Sequence, residues 1–242
     1  MRRLLHSSTH GPPMIDLDLI HEDAHLLVFD KPANLLCVPG RGEDKQDCLS
    51  ARAQRRWPDA LVVHRLDMAT SGLVVMARGI EMQRALGDAF ARREVHKRYE
   101  ALVDGELPVT EEWALIDSPL MADWPRRPMQ KIDAAGKASV TRWKALRTMA
   151  LMGAGESAGN RTVSRVQLEP LTGRSHQLRV HLASIGHAIL GDALYAVADI
   201  RQAAPRLLLH ATVLAFVQPA TGHTVRFESA APFQSFLSGL AP

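Results

Sequence analysis

The succession of strand-like runs constrains this chain most. They fall at residues 26–29, 60–63, 73–77, 97–103, 138–146, 162–168, 206–217 and 223–227, and most follow one another without a helical crossover. Parallel neighbours need such crossovers, whereas antiparallel ones are joined by short turns. The expected fold class is therefore α+β, with a mixed, mainly antiparallel central sheet and flanking helices and loops.

Two helical segments interrupt the strands. Met82, Leu86, Ala89 and Phe90 recur at three- and four-residue spacing between charges, which predicts an amphipathic helix over 81–93. Ser175 is placed to cap a second helix, with Leu178, Leu182 and Ile185 as its apolar stripe. Residues 1–14 are expected to be a flexible tail ending at the breakers Gly11-Pro12-Pro13, and 153–160, rich in Gly and Ala, a surface loop. No repeat or composition shift marks an internal boundary, so residues 15–242 are expected to form one domain. At 242 residues and 46% hydrophobic content the chain can bury a substantial core.

The balance is mildly basic, net +3, with clusters at Arg92-Arg93, Lys97-Arg98, Arg126-Arg127 and between Arg161 and Arg165. These suit a polyanion-binding surface, and each alone also suits a solvated basic face. Cys37 and Cys48 are the only cysteines, without metal-ligand spacing, so neither a disulfide framework nor a zinc site is expected. The N-terminus lacks an apolar run of signal-peptide length and no segment reaches the length of a membrane span, so a cytoplasmic protein is expected, with a short transit peptide as the lesser option.

Chemistry concentrates in His64-Arg65-Leu66-Asp67-Met68-Ala69-Thr70-Ser71-Gly72, a polar segment clamped between two apolar runs. Strand, loop, strand is the reading, and loops held by rigid strands commonly carry function. Asp67 alone would read as a turn aspartate bonding its own backbone. Arg65, two residues away, projects to the same face of an extended segment and would keep the carboxylate ionised, which suits a nucleophile or an electrostatic stabiliser.

A second run, residues 171–183, holds Arg174, His176 and Arg179. His176 and Arg179 share a helix face, which either meets the Asp67 loop or leaves Arg179 as a structural ion-pair residue. His176 and His181 are five apart and no acid follows His176, so a helical zinc pair is not expected. Gly155-Glu156-Ser157-Ala158-Gly159 matches a hydrolase elbow in letters, but a strand-like run follows it where a helix is needed. Tyr99, flanked by Lys97 and Arg98 on a strand, is either half-buried core, a platform for a base or a group that exchanges a proton. The loop Val38-Pro39-Gly40-Arg41-Gly42 is either ligand-facing or plain surface.

Taken together these runs resemble the RluA-type family of pseudouridine synthases, from Ile20 to Phe227. The matching segments are Lys31-Pro32-Ala33, residues 64–72, 97–102 and 171–183, Gly186-His187 through Gly191-Asp192 to Tyr195, and residues 206–211. Residues 38–41, Met68 and Ala69, and Asp123-Trp124-Pro125 with Arg127-Pro128 resemble the dual-specificity members that modify large-subunit (23S) rRNA and the anticodon stem-loop of tRNA. Relatives often carry an N-terminal RNA-binding module related to a ribosomal protein, for which about twenty residues leave no room.

The resemblance implies the pseudouridine synthase fold and an isomerase. Asp67 would be the nucleophile that breaks the bond between uracil N1 and the ribose, Tyr99 would stack on the uracil and help remove the C5 proton, and Arg179 would pair with the aspartate. Arg65 would fill the space of the flipped uridine. Arg41, His64, Thr70, Arg127, Arg174 and His176 complete the expected RNA-binding set. RNA is the expected partner, a monomer is expected, and no metal or other cofactor is implied. Asn34 departs from the family's usual Gly and Ala188 from a common Pro. The other readings are a non-catalytic RNA-binding protein of the same fold and a nucleoside hydrolase, for which no second carboxylate motif is present.

Overall fold

The computed structural model describes residues 17–151 and 161–234. Strands β1 (Asp18–Glu22), β2 (Leu26–Lys31), β3 (Ala60–Val62), β4 (Ser71–Arg78), β5 (His96–Asp104), β6 (Ala114–Asp117), β9 (Val140–Leu151), β10 (Arg161–Pro170), β11 (Leu209–Val217) and β12 (Thr224–Glu228) form one sheet. Its central path runs β1-β2-β4-β11-β5-β10-β9-β6, with β3 joined to β4 and β12 to β11. A separate hairpin pairs β7 (Leu120–Ala122) with β8 (Gln130–Ile132). Among the described residues four α-helices flank these strands: α1 (Leu49–Arg56), α2 (Ile80–Ala91), α3 (Gln177–Ser184) and α4 (Ala198–Gln202). The mixed, mainly antiparallel α+β fold expected from the strand runs is the one observed.

Among the described residues, one pairing between these strands is parallel, β4 with β11, and it spans only His210 opposite Ser71 and Ala211 opposite Gly72. It joins the two halves of the sheet at its middle. Gly72 has φ 113°, and a Cβ there would run into the backbone of Ala211. Only a residue without a side chain lets the strands meet at this seam.

The run at 73–77 is continuously apolar because β4 is covered on both faces. Leu27, Phe29, Val74 and Met76 pack toward α1, while Leu26, Val28, Leu73 and Val75 pack toward α2. A third cluster fills the C-terminal half under α3 and α4.

Several expectations need correcting. Residues 206–208 are not strand; Leu208 exchanges backbone hydrogen bonds with Leu190 and Leu102 instead, and β11 begins at Leu209. The cap of α3 is His176 in a left-handed conformation (φ 57°), not Ser175. The Gln177 side chain takes over there, accepting from Thr172 Oγ1 and Arg174 N–H and donating to Val140 O. Nor is α3 striped: Gln177 to Leu182 are all buried, while Ile185 is exposed. Strand β1, the β6 to β8 region, α1 and α4 had no clear sequence signal. The start of α1 is capped by the Cys48 thiol, which accepts from Ala51 N–H, a role usually given to Ser, Thr, Asp or Asn. Both cysteines are free and buried. The tail at 1–14 and the loop at 153–160, with its Gly155-x-Ser157-x-Gly159 run, lie outside the described residues. No described helix is long and apolar enough to cross a membrane.

Candidate active site

Asp67 lies between β3 and β4, in an extended segment that ends in a turn closed by Thr70 N–H on the Asp67 carbonyl. Its carboxylate does not serve that turn. It faces α3 across the sheet seam, where Arg179 Nη1 donates to Asp67 Oδ2 at 3.4 Å and His176 Nε2 lies 3.9 Å from the same oxygen. The face carrying His176 and Arg179 thus meets the Asp67 loop. Arg65 is exposed and makes no ion pair with Asp67 in the described structure.

Arg179 has a stronger tie elsewhere. Its Nε and Nη2 grip both oxygens of buried Asp192 at 2.8 and 2.7 Å. Burial works against the guanidinium, but the Asp192 hydrogen bonds and the Asp192 and Asp67 charges outweigh it and raise its pKa. Asp192 Oδ1 also accepts from the backbone of Leu194 and Tyr195. Both sequence readings of Arg179 therefore hold: it is a structural ion-pair residue whose free nitrogen reaches Asp67.

Tyr99 sits on β5 opposite Ala211 and Leu168, at the seam, and lines a cavity of about 470 Å³ with Asp67, Thr70, His64, Arg93, Lys97, Arg174, His176 and Arg179. Burial, then the Asp67 charge, hold the phenol protonated. Its hydroxyl has no protein partner among the described residues. His64 stacks on Phe90 at 4.4 Å between centroids, and its Nε2 accepts from Val75 N–H. Burial pushes His64 down to about 3, so the ring is a neutral wall.

A second cavity, about 700 Å³, opens on the other side of the Arg65-Leu66-Asp67 segment. Arg41, Met68, Trp124, Arg127 and His176 line it, and the Arg127 guanidinium lies 3.3 Å above the exposed Trp124 ring. The basic clusters divide accordingly. Arg92, Arg98, Arg126, Arg161 and Arg165 are paired with acids, whereas Arg93, Lys97 and Arg127 face the cavities.

Four further residues at the site were not singled out from sequence. Lys31, fully buried, donates to the carbonyls of Pro32 and Leu35 at 2.8 Å and Met68 at 3.2 Å, which pins the Asp67 turn to the end of β2. Burial brings its pKa down to about 8. Cys37 Sγ accepts from Leu66 N–H beneath the same turn. Asp192 and Tyr195 hold the α3 side. Lys31, Asp192 and Tyr195 carried only the signal of their place inside quoted motifs, and Cys37 carried none, since partners distant in sequence are invisible before folding. Asn34 has φ 65°, which explains how Asn replaces Gly there: it is among the few side chains that tolerate this conformation.

Comparison with known proteins decides what this constellation belongs to. Residues 25–184 match the model of the family described as RNA pseudouridylate synthase. The chain belongs to the RNA pseudouridylate synthase family. It is 44% identical over 226 residues to the dual-specificity RNA pseudouridine synthase RluA of Escherichia coli K12, covering 93% of this chain and 98% of that one. The RluA of Yersinia pestis is 42% identical over 216 residues, covering 89% and 99%. Among solved structures, human RNA pseudouridylate synthase domain containing 1 superposes with a TM-score of 0.74 at 27% identity, over 93% of this chain and 87% of that one.

This pseudouridine synthase isomerises uridine in RNA, and the cavity between Asp67, Tyr99 and Arg179 falls in the size range of small-molecule sites. It offers a carboxylate oxygen, an aromatic face and fixed cations around one space. Among the described residues, no group of three or more His, Cys, Asp or Glu side chains is arranged to hold a metal ion.

Proposed function

We propose that this synthase converts uridine to pseudouridine in structured RNA loops, specifically of 23S rRNA and the anticodon stem-loop of tRNA, with Asp67 as nucleophile. The observation that carries the reading is the position of Asp67 in the cavity wall, held by Arg179 and sharing that cavity with Tyr99. The dual-specificity name of the relatives supports two RNA classes. In this reading a uridine leaves its stack and enters the cavity, at a cost of a few kcal/mol that RNA contacts offset. Tyr99 stacks on the base and helps remove the C5 proton, and exposed Arg65 occupies the gap left behind.

Arg41, Arg127 and the Trp124 face receive the flanking strand, while Arg93, Lys97 and Arg174 receive phosphates at the first cavity. His64 and Thr70 shape the cavity rather than carry charge. Residues 15–242 act as one catalytic domain, a monomer in the cytoplasm, with no cofactor, since an isomerisation needs no electron acceptor.

The test uses RNA carrying tritium at C5 of uracil, as tRNA and as 23S rRNA fragments. Wild type should release tritium from both and Asp67→Asn from neither. Release by Asp67→Asn at the wild-type rate removes Asp67 from its role, and release from one RNA alone narrows the substrate range.

A further inference from the structure

Two side chains behind Asp67, those of Tyr195 and His176, are arranged as a relay that the roles of Asp67, Tyr99 and Arg179 do not use. The Tyr195 hydroxyl accepts a hydrogen bond from the backbone N–H of Gln130, on the first residue of β8, at 2.8 Å. Its own proton is therefore free to go to the other neighbour, His176 Nδ1, at 2.6 Å. With Nδ1 accepting, a neutral His176 carries its hydrogen on Nε2, and Nε2 is the nitrogen that lies 3.9 Å from Asp67 Oδ2. In that arrangement the imidazole would be held in one tautomer from behind and would present an N–H to the carboxylate in front. Its ring is largely buried, which favours the neutral form.

The backbone gives a second, independent observation. His176 has φ 57°, a conformation that costs a side-chain-bearing residue free energy and persists where the surroundings impose it. Here it turns the ring from the start of α3 into the space between Tyr195 and Asp67. Tyr195 is itself fixed at its backbone by Asp192, and its ring lies 5.2 Å from the Arg179 guanidinium. One buried acid therefore anchors both groups that approach Asp67.

We propose that His176 is a positioning residue for the reaction, and that Tyr195 and the Gln130 backbone fix its tautomer so that His176 and Arg179 together hold Asp67 Oδ2 and leave Oδ1 for the uridine. This deepens the reading of Asp67 as nucleophile and rests on it. The 3.9 Å gap closes on substrate binding, as hydrogen bonds in unliganded active sites commonly do. Because Gln130 lies on the hairpin that lines the second cavity, RNA seated there bears on the same chain of contacts.

Two measurements test this, one without substrate. Long-range nitrogen–proton spectra of histidine-labelled enzyme, with His176 assigned through His176→Asn, should show the Nε2–H tautomer in wild type and a mixture in Tyr195→Phe. An Nδ1–H tautomer or an imidazolium at pH 7.5 in wild type overturns the proposal. In turnover, Tyr195→Phe removes one hydroxyl and keeps the ring, and His176→Asn keeps a residue that tolerates φ near 57°. Both should lower kcat about tenfold to a hundredfold, the scale of a small misplacement, with KM for the modified stem-loop unchanged. A raised KM at unchanged kcat makes His176 an RNA contact and overturns the positioning role. If wild type is inactive on both RNAs, the substrate assignment fails, and the spectra still decide the relay.

Discussion

The floor and the rim of this active site are built from the same kinds of charge in opposite ways. On the floor, Arg179 is buried and doubly bound to Asp192, Lys31 is buried on three carbonyls, and His176 is clamped by Tyr195. On the rim, Arg41, Arg65 and Arg127 are exposed and none is paired with an acid in the described structure. Buried charges must be satisfied by the protein itself, so they fix geometry. Exposed cations keep their water until phosphate displaces it, so they set affinity and leave shape unconstrained. The floor should thus govern kcat and folding, the rim KM and salt dependence.

Four measurements would break or sharpen that division. Asp67→Asn should lower kcat on the order of 10⁴-fold or more while RNA affinity in a filter-binding titration stays within about twofold; a large loss of affinity would place Asp67 on the rim side. Asp192→Asn strands a buried guanidinium, and urea titration should show a loss of about 3–5 kcal/mol of stability with a fall in kcat. A loss under about 1 kcal/mol would mean the floor is not held by this pair.

The third concerns acid. His210, buried between Ser71 and Ser229, is pushed down to about 4, chiefly by burial and then by Arg206. Between about pH 6.5 and 4 the unfolded chain binds this proton and the folded one does not, so stability falls as pH drops through that window, by roughly 3 kcal/mol at full effect. Denaturation midpoints at pH 7 and pH 4.5 check it, and His210→Gln should flatten the difference. Smallest is the rim: Arg41→Ala and Arg127→Ala should each raise KM severalfold, leave kcat unchanged and reduce the salt slope of binding by about one. A kcat effect from either would dissolve the distinction.

The same division explains what the sequence revealed. Strands such as β4 and β11 were legible because their apolar runs answer to burial, which is local in the chain. Asp67, Tyr99 and Arg179 stood out through motif and family resemblance, and the structure brings them to one cavity. The supports were not legible, because Lys31 meets Met68 and Arg179 meets Asp192 only after the chain has folded. His176 reads in sequence as the first residue of a helix, and only the backbone turn at φ 57° shows that it points elsewhere. Among basic clusters, residue type could not separate Arg165, spent on Glu100, from Arg127, open to solvent.

Gly72 sets the mechanical tolerance of this enzyme. Asp67 hangs from β4, while Tyr99 and Arg179 belong to the half of the sheet that starts beyond the seam with β11. A single methyl group at position 72 would lie 2.4 Å from the Ala211 backbone, closer than packed atoms sit, so the strands at the seam would have to shift. Asp67 and Arg179 meet across that same seam. The missing side chain at Gly72 thereby sets how closely the two halves of the catalytic cleft can approach.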